Sequence, residues 1–180
     1  MFLVSSNRKK LNEIQRFGLD LELRPGLDLP EVNGTPDEVI THKAIAAGVG
    51  AVVEDTILSI AGEPVVDIRW RLHELPGQST LPAEWIVSLG HNDGTHVHLY
   101  RGVVSGQLKH PDHLREGAFG FDPYFVPDGQ DQSLDELEQL GRKELFSARR
   151  QAVERLMRQA PHASVALADV PAWQGAYQGA

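Results

Sequence analysis

A chain of 180 residues, 41% hydrophobic and 23% charged, has the makeup of an ordinary globular protein with one good core, divisible into two lobes. Its formal charge of −8 excludes a general nucleic-acid binder, because phosphate backbones select basic surfaces, but leaves room for small phosphorylated ligands and a divalent cation. The lack of cysteine excludes disulfides and thiolate metal sites, and no apolar run reaches membrane-spanning length, so a cytoplasmic protein off the membrane is expected.

Phe2-Leu3-Val4 reads as a short buried strand, too short for a signal segment, running into the polar loop Ser5-Ser6-Asn7-Arg8-Lys9-Lys10. A helix carrying Leu11 and Ile14 follows, then a second strand at Leu21-Glu22-Leu23 and an irregular segment from Leu27 to Pro30. Thr35-Pro36-Asp37-Glu38 is a capping box with proline at the first helical position, and Gly48 or Gly50 ends that helix. Ala51-Val52-Val53 is a buried strand ending in Glu54-Asp55-Thr56, with a further strand-like run from Ile57 to Ile60. Glu63 to Gln78 is weakly patterned, and Pro82 to Leu89 is expected as a short helix closed by Gly90. Asp93-Gly94 marks a hairpin turn, with strands at Val97, Leu99 and Val103-Val104. Leu134–Leu140 and Lys143–Gln159 are the last predicted helices. An Ala/Gly/Pro-rich tail, expected to be loosely held, covers 161–180 beyond a single domain at 1–160.

Three constellations carry chemistry. The first is the loop Ser5, Ser6, Asn7, Arg8, Lys9, Lys10, where a strand meets a helix start and backbone N–H groups, short polar side chains and a lysine can receive phosphate. An N-cap at Asn7 beside a solvated basic patch is the plainer alternative. The second is Glu31 with the adjacent Glu54 and Asp55. Hard oxygen donors suit Mg²⁺, and an acid at a strand end can take a proton from water, although two turn residues would look the same. Lys43 and Arg69 can reach phosphate or simply be solvated. The third and most specific is the stretch Gly117–Arg150: Phe119-Gly120-Phe121-Asp122, then Lys143, Ser147 and Arg149. Glycine between aromatics lets backbone approach a flat ring, phenylalanine stacks on it, and the polar groups read its edge. A hairpin with buried aromatics and an Asp-Pro turn is the alternative. His96 and His98 share one strand face and read as a polar face rather than a zinc site.

Taken in order, these pieces resemble the inosine triphosphate pyrophosphatase family (Ham1-like, also called RdgB-like), which hydrolyses non-standard purine nucleoside triphosphates. The match is carried by Ser5-Ser6-Asn7-x-x-Lys10, Pro30-Glu31, Lys43-Ala44, Glu54-Asp55-Thr56, Gly102 to Gly106, Phe119-Gly-Phe-Asp-Pro, Pro127-Asp-Gly129, Lys143 and Ser147-x-Arg149, spanning residues 1 to about 157. The resemblance implies an α/β fold in which a long, curved mixed sheet with flanking helices forms two lobes around a central cleft, usually in a homodimer. It implies that Ser5 to Lys10, with Lys43, Thr56 and Arg69, cradle a triphosphate, and that Glu31 and Asp55 hold Mg²⁺. Asp55 or Glu54 activates the water, and Phe119 to Asp122, Lys143, Ser147 and Arg149 hold the base. The implied reaction converts ITP, dITP or XTP to the monophosphate and pyrophosphate by attack at the α-phosphorus. Ala148 stands where the family has histidine, Pro64-Val65 where it has Pro-Gly, and the loop from Leu72 to Thr80 is short. Altered base specificity within the same chemistry, or a non-catalytic nucleotide-binding module, are therefore the competing readings.

Overall fold

The computed structural model describes residues 1–25, 29–65 and 80–179. Among these, eight strands join one mixed sheet: β1 (Phe2–Ser5), β2 (Glu22–Pro25), β3 (Ala51–Ile60), β4 (Glu63–Val65), β5 (Leu81–Asn92), β6 (His96–Leu108), β7 (Phe125–Pro127) and β8 (Ala163–Ala166). The order is β2-β1-β3-β5-β6-β7, with β4 on β3 and β8 on β6. The helices are α1 (Arg8–Arg16), α2 (Pro36–Ala47), α3 (Leu134–Gln139) and α4 (Ala148–Met157). The mixed α/β class read from the sequence is the class observed. No helix among the described residues is long and apolar enough to cross a membrane.

The chain divides into two compact units, one of Met1–Thr56, Val87–Gly102 and Arg149–Ala180, the other of Ile57–Ile86 and Val103–Ala148. In the first, β1 has β2 and the start of β3 as parallel neighbours, which explains the uninterrupted Ala51-Val52-Val53 run. Helix α2 begins as its sequence dictates. Thr35 accepts the Glu38 amide, Glu38 accepts the Thr35 amide, and Gly48 ends the helix at φ 95°. Its Ile40 and Ala44 pack with Val4, Val53, Val97 and Leu99 into the core of this unit.

Residues 82–89, expected as a helix, are instead part of β5. Ala83, Trp85, Val87 and Leu89 are buried at strict period two, and the side chains between them are more exposed up to Ile86. Gly90 is no helix cap. A Cβ there would meet Ile40 Cγ1 at 3.1 Å and Ala44 Cβ at 3.3 Å, so the glycine lets α2 lie close on the strand. The two short strands expected either side of Thr56 are one strand, and so are those around Leu99 and Val103. The Asp-Gly turn is present: Gly94 sits at φ 95°, and Asp93 accepts the amides of Thr95 and His96.

In the second unit β4 pairs with the end of β3 and β7 with the end of β6, both antiparallel. Helix α3 carries a capping box of its own, Ser133 with Glu136. The single helix expected over 143–159 is broken. Lys143–Phe146 is a 3₁₀ turn, Ser147 is extended, and α4 starts at Ala148. The loosely held tail expected from Pro161 is tied down: β8 pairs with His96–Leu99, and Tyr177 bridges to Val32.

Candidate functional site

The first unit gathers the acids. Asn7 caps α1, accepting the amides of Lys9 at 3.1 Å and Lys10 at 3.3 Å, while Ser5 Oγ accepts the Asn7 amide. The local role foreseen for Asn7 is thus real, and it fixes the loop so that Lys10 reaches back to β3. Lys10 Nζ lies 2.7 Å from Glu54 Oε2. Ser6, Arg8 and Lys9 remain exposed.

Glu54 is buried and heavily neutralised. Arg149 Nη2 stands 3.3 Å from Glu54 Oε1, the Thr56 hydroxyl donates to the same oxygen, and Arg149 donates to Thr56 Oγ1 at 3.1 Å. The other arm of Arg149 donates to Glu13. Burial alone would push the Glu54 carboxyl upward, but Lys10 and Arg149 overcome it and bring it down to about 2. A carboxylate that acidic is a poor base at neutral pH.

Asp55 comes next in the strand, so its side chain takes the opposite face from Glu54. Burial raises its carboxyl to about 6; Lys43 opposes the rise, and Glu54 and Glu31 add to it. Lys43 Nζ lies 2.7 Å from Glu31 Oε1 and 3.9 Å from Asp55 Oδ1, an ammonium set between two carboxylates. Burial disfavours the charged lysine, yet Asp55 and Glu31 together raise its pKa, so it stays a cation. One strand therefore presents two adjacent acids shifted in opposite directions, Glu54 held down by two cations and Asp55 raised by burial.

In the second unit Lys143 Nζ pairs with Asp122 Oδ2 at 2.6 Å, both nearly buried, and stands 5.9 Å from the Phe119 ring centre. Gly120 has φ 55°, a conformation that side chains rarely adopt. Phe121 is a core aromatic, edge-on to Trp85 and Phe125, with ring centres 6.0 Å away in each case. Phe119 is the more exposed of the two phenylalanines. Ser147 is buried and Ala148 fully so.

Arg149, read from the sequence with Lys143 and Ser147, is held by two acids of the first unit. The break at Ser147 turns it into the first unit, where Glu13 and Glu54 supply the anions that a buried guanidinium requires. Glu13 was not foreseen. Its signal is an acid three residues after Lys10, between Leu11 and Ile14, on the buried face of α1. Arg69 and the loop residues 72–79 lie outside the described residues. Among the described residues no group of three or more His, Asp or Glu side chains is placed to hold a metal ion. Glu31 and Asp55 are the pair whose hard oxygens, already gathered about a cation, fit a divalent ion completed by waters and phosphate.

The model of the Ham1 family matches residues 1–159. The chain is 33% identical over 162 residues to the dITP/XTP pyrophosphatase of Deinococcus deserti, covering 75% of this chain and 77% of that protein. Among solved structures, the Staphylococcus aureus Ham1 protein superposes with a TM-score of 0.66 at 22% identity, over 88% of this chain and 96% of the other. A HAM1 protein from Coxiella burnetii gives a TM-score of 0.55 at 23% identity, over 88% and 98%.

Proposed function

Because this chain belongs to the Ham1 family, we propose that it is a nucleoside triphosphate pyrophosphatase, a hydrolase of acid anhydrides that converts non-canonical purine triphosphates to the monophosphate and pyrophosphate. The reading is supported by the relative that hydrolyses dITP and XTP. The observation that carries it is the division of labour on β3, where Glu54 is locked by Lys10 and Arg149 while Asp55, on the opposite face, shares Lys43 with Glu31. A protein that only bound nucleotides would have no need of such an acid.

In this reading Asp55 accepts the proton of the water that attacks the α-phosphorus. Lys43 leaves its place between the carboxylates to donate to phosphate oxygens, and Ser6, Arg8 and the amides of the first loop receive the triphosphate. Glu31 and Asp55 would hold Mg²⁺. Bound there, the ion supplies charge neutralisation and Lewis acidity for the phosphoryl transfer. Phe119 stacks on the base, and the Asp122–Lys143 pair reads its edge. A homodimer in the cytoplasm belongs to the same proposal, and sedimentation in solution tests the assembly.

The test is a panel of nucleoside triphosphates with Mg²⁺. Pyrophosphate is the expected product, with ITP, dITP and XTP preferred over ATP and GTP. Orthophosphate as the product overturns attack at the α-phosphorus, and binding without turnover on every substrate favours a non-catalytic module.

Ala148 favours a second reading, the same chemistry on a different base. It fills a fully buried position at the start of α4 where the resemblance expects an imidazole. Ala148→His is expected to raise the ITP-over-ATP ratio of kcat/KM about tenfold, about 1.4 kcal/mol. Crowding the buried position should lower stability by about 1–3 kcal/mol. An unchanged ratio removes Ala148 as the cause of any altered preference.

A further inference from the structure

The segment 173–178 lies beyond the family match, which ends at residue 159, yet it is fastened to the stretch that carries Glu31. The Gln178 amide donates to the Glu31 carbonyl at 2.8 Å, and the Asn33 amide donates to the Ala176 carbonyl at 2.9 Å. Tyr177 bridges to Val32, and Gln178 Nε2 donates to the Val32 carbonyl at 3.1 Å. The strand-like clasp thus holds the backbone of residues 31 to 33 from one side.

A side-chain anchor sets the clasp in place. The Trp173 indole N–H donates to the Ala176 carbonyl at 2.9 Å, closing the segment on itself. Its ring meets His42 edge-on, with centres 5.3 Å apart. It also lies close over Gly34, where a Cβ would meet the Glu38 carboxylate at 2.6 Å and the Trp173 ring at 3.0 Å. His42 immediately precedes Lys43, and Lys43 holds the Glu31 carboxylate. The same short segment therefore touches the chain on both sides of the Glu31–Lys43 pair. Glu31 itself follows a proline and belongs to neither a helix nor a strand, and its side chain is 37% exposed. An acid so placed has little structure of its own to fix it, and a carboxylate that must meet a cation within a fraction of an ångström needs outside support.

We propose that residues 173–178 are a positioning strap for Glu31, which they hold in place to meet the divalent cation; this rests on Glu31 being a cation ligand, as proposed above. Trp173 and Gln178 touch neither cation nor substrate in this role and act only by holding the backbone around Glu31.

Two variants loosen the strap by different means. Trp173→Ala removes the anchor, and Gln178→Pro removes the amide that donates to Glu31. In each, amide exchange at residues 31–33 is expected to accelerate, read by hydrogen–deuterium exchange on the metal-free protein. The dissociation constant for Mn²⁺ without nucleotide, measured from the free-ion paramagnetic resonance signal, is expected to rise about tenfold. The half-saturating Mg²⁺ concentration should rise with it, and kcat should recover at high Mg²⁺. A purely structural role would lower kcat at every concentration. Faster exchange with unaltered Mn²⁺ affinity in both variants overturns the strap, as does unaltered exchange in both. Glu31→Gln run in parallel separates the two levels. Weak Mn²⁺ binding there beside normal binding in the strap variants overturns the strap alone, whereas normal binding in Glu31→Gln overturns the ligand assignment.

Discussion

Asp55→Asn is expected to abolish pyrophosphate release while making the metal-free protein more stable. Loss of a group that accepts the proton from water lowers kcat by about 10²–10⁴-fold, and loss of a cation ligand adds to that. The gain in stability follows from the carboxyl standing at about 6 in the folded chain against an ordinary 3.8. Well below pH 4 the group is protonated whether the chain is folded or not, so wild type and variant should differ little. As pH rises from about 4 to about 6, the unfolded chain releases its proton before the folded one, and wild-type stability declines relative to the variant. Above pH 6 the difference levels off. Two pKa units correspond to about 3 kcal/mol, or roughly 6–12 °C in Tm for a chain of this size. Urea unfolding in chelator at pH 4 and pH 7.5 checks both ends of the range. Excess Mg²⁺ should then close the gap by stabilising the wild type and not the variant. A variant less stable than wild type at pH 7.5 in chelator would show that the Asp55 carboxylate is well compensated, and the contrast between Glu54 and Asp55 would fail. The prediction pairs gain and loss because the group is held ready for a charge that the resting protein only partly supplies through Lys43.

The legible parts of this molecule are those fixed by neighbours in sequence. Thr35 to Glu38 specify a helix start through bonds no more than three residues long, and Asp93-Gly94 specifies a turn in the same way. Pro82 and Gly90 show the opposite case. Both resemble helix punctuation, and they hide the alternation of Ala83, Trp85, Val87 and Leu89, which only the sheet reveals as decisive. In the site, Glu31 and Asp55 read as one acid set and Lys43 as a separate phosphate-reaching cation, and the structure sets Lys43 between the two acids. Arg149 reads beside Lys143 and Ser147 as a base-holding group, yet after one extended residue at Ser147 it pairs with anions 136 and 95 positions away in sequence. No local pattern encodes such a partner. The tail misled for a related reason: Ala, Gly and Pro signal weak intrinsic structure, but backbone amides at 176–178 need only partners, and the Glu31 stretch supplies them.

Replacing Arg149 with methionine is expected to unfold much of the protein, with a loss of about 3–5 kcal/mol. The side chain is only 2% exposed and its two arms serve Glu13 and Glu54, so methionine fills the volume but leaves both acids with less compensation. Lys10 still reaches Glu54, but it is the more exposed cation and makes a single contact with that acid. Unpaired buried charge, rather than lost packing, should dominate the penalty. That claim has its own test, since removing the stranded anions must then restore stability. Arg149→Met with Glu13→Gln and Glu54→Gln is expected to regain most of the loss, because amides need no counter-charge. Arg149→Lys should restore less, since one ammonium cannot serve Glu13, Glu54 and Thr56 at once. If the triple variant is no more stable than Arg149→Met alone, then packing and not charge explains the arginine. The recovered triple variant should still release pyrophosphate more slowly than wild type, because the Glu54 charge beside Asp55 helps hold that carboxyl up near neutrality. Stability would then be regained without the electrostatic asymmetry on β3, which separates the fold's demand for Arg149 from the reaction's demand for it.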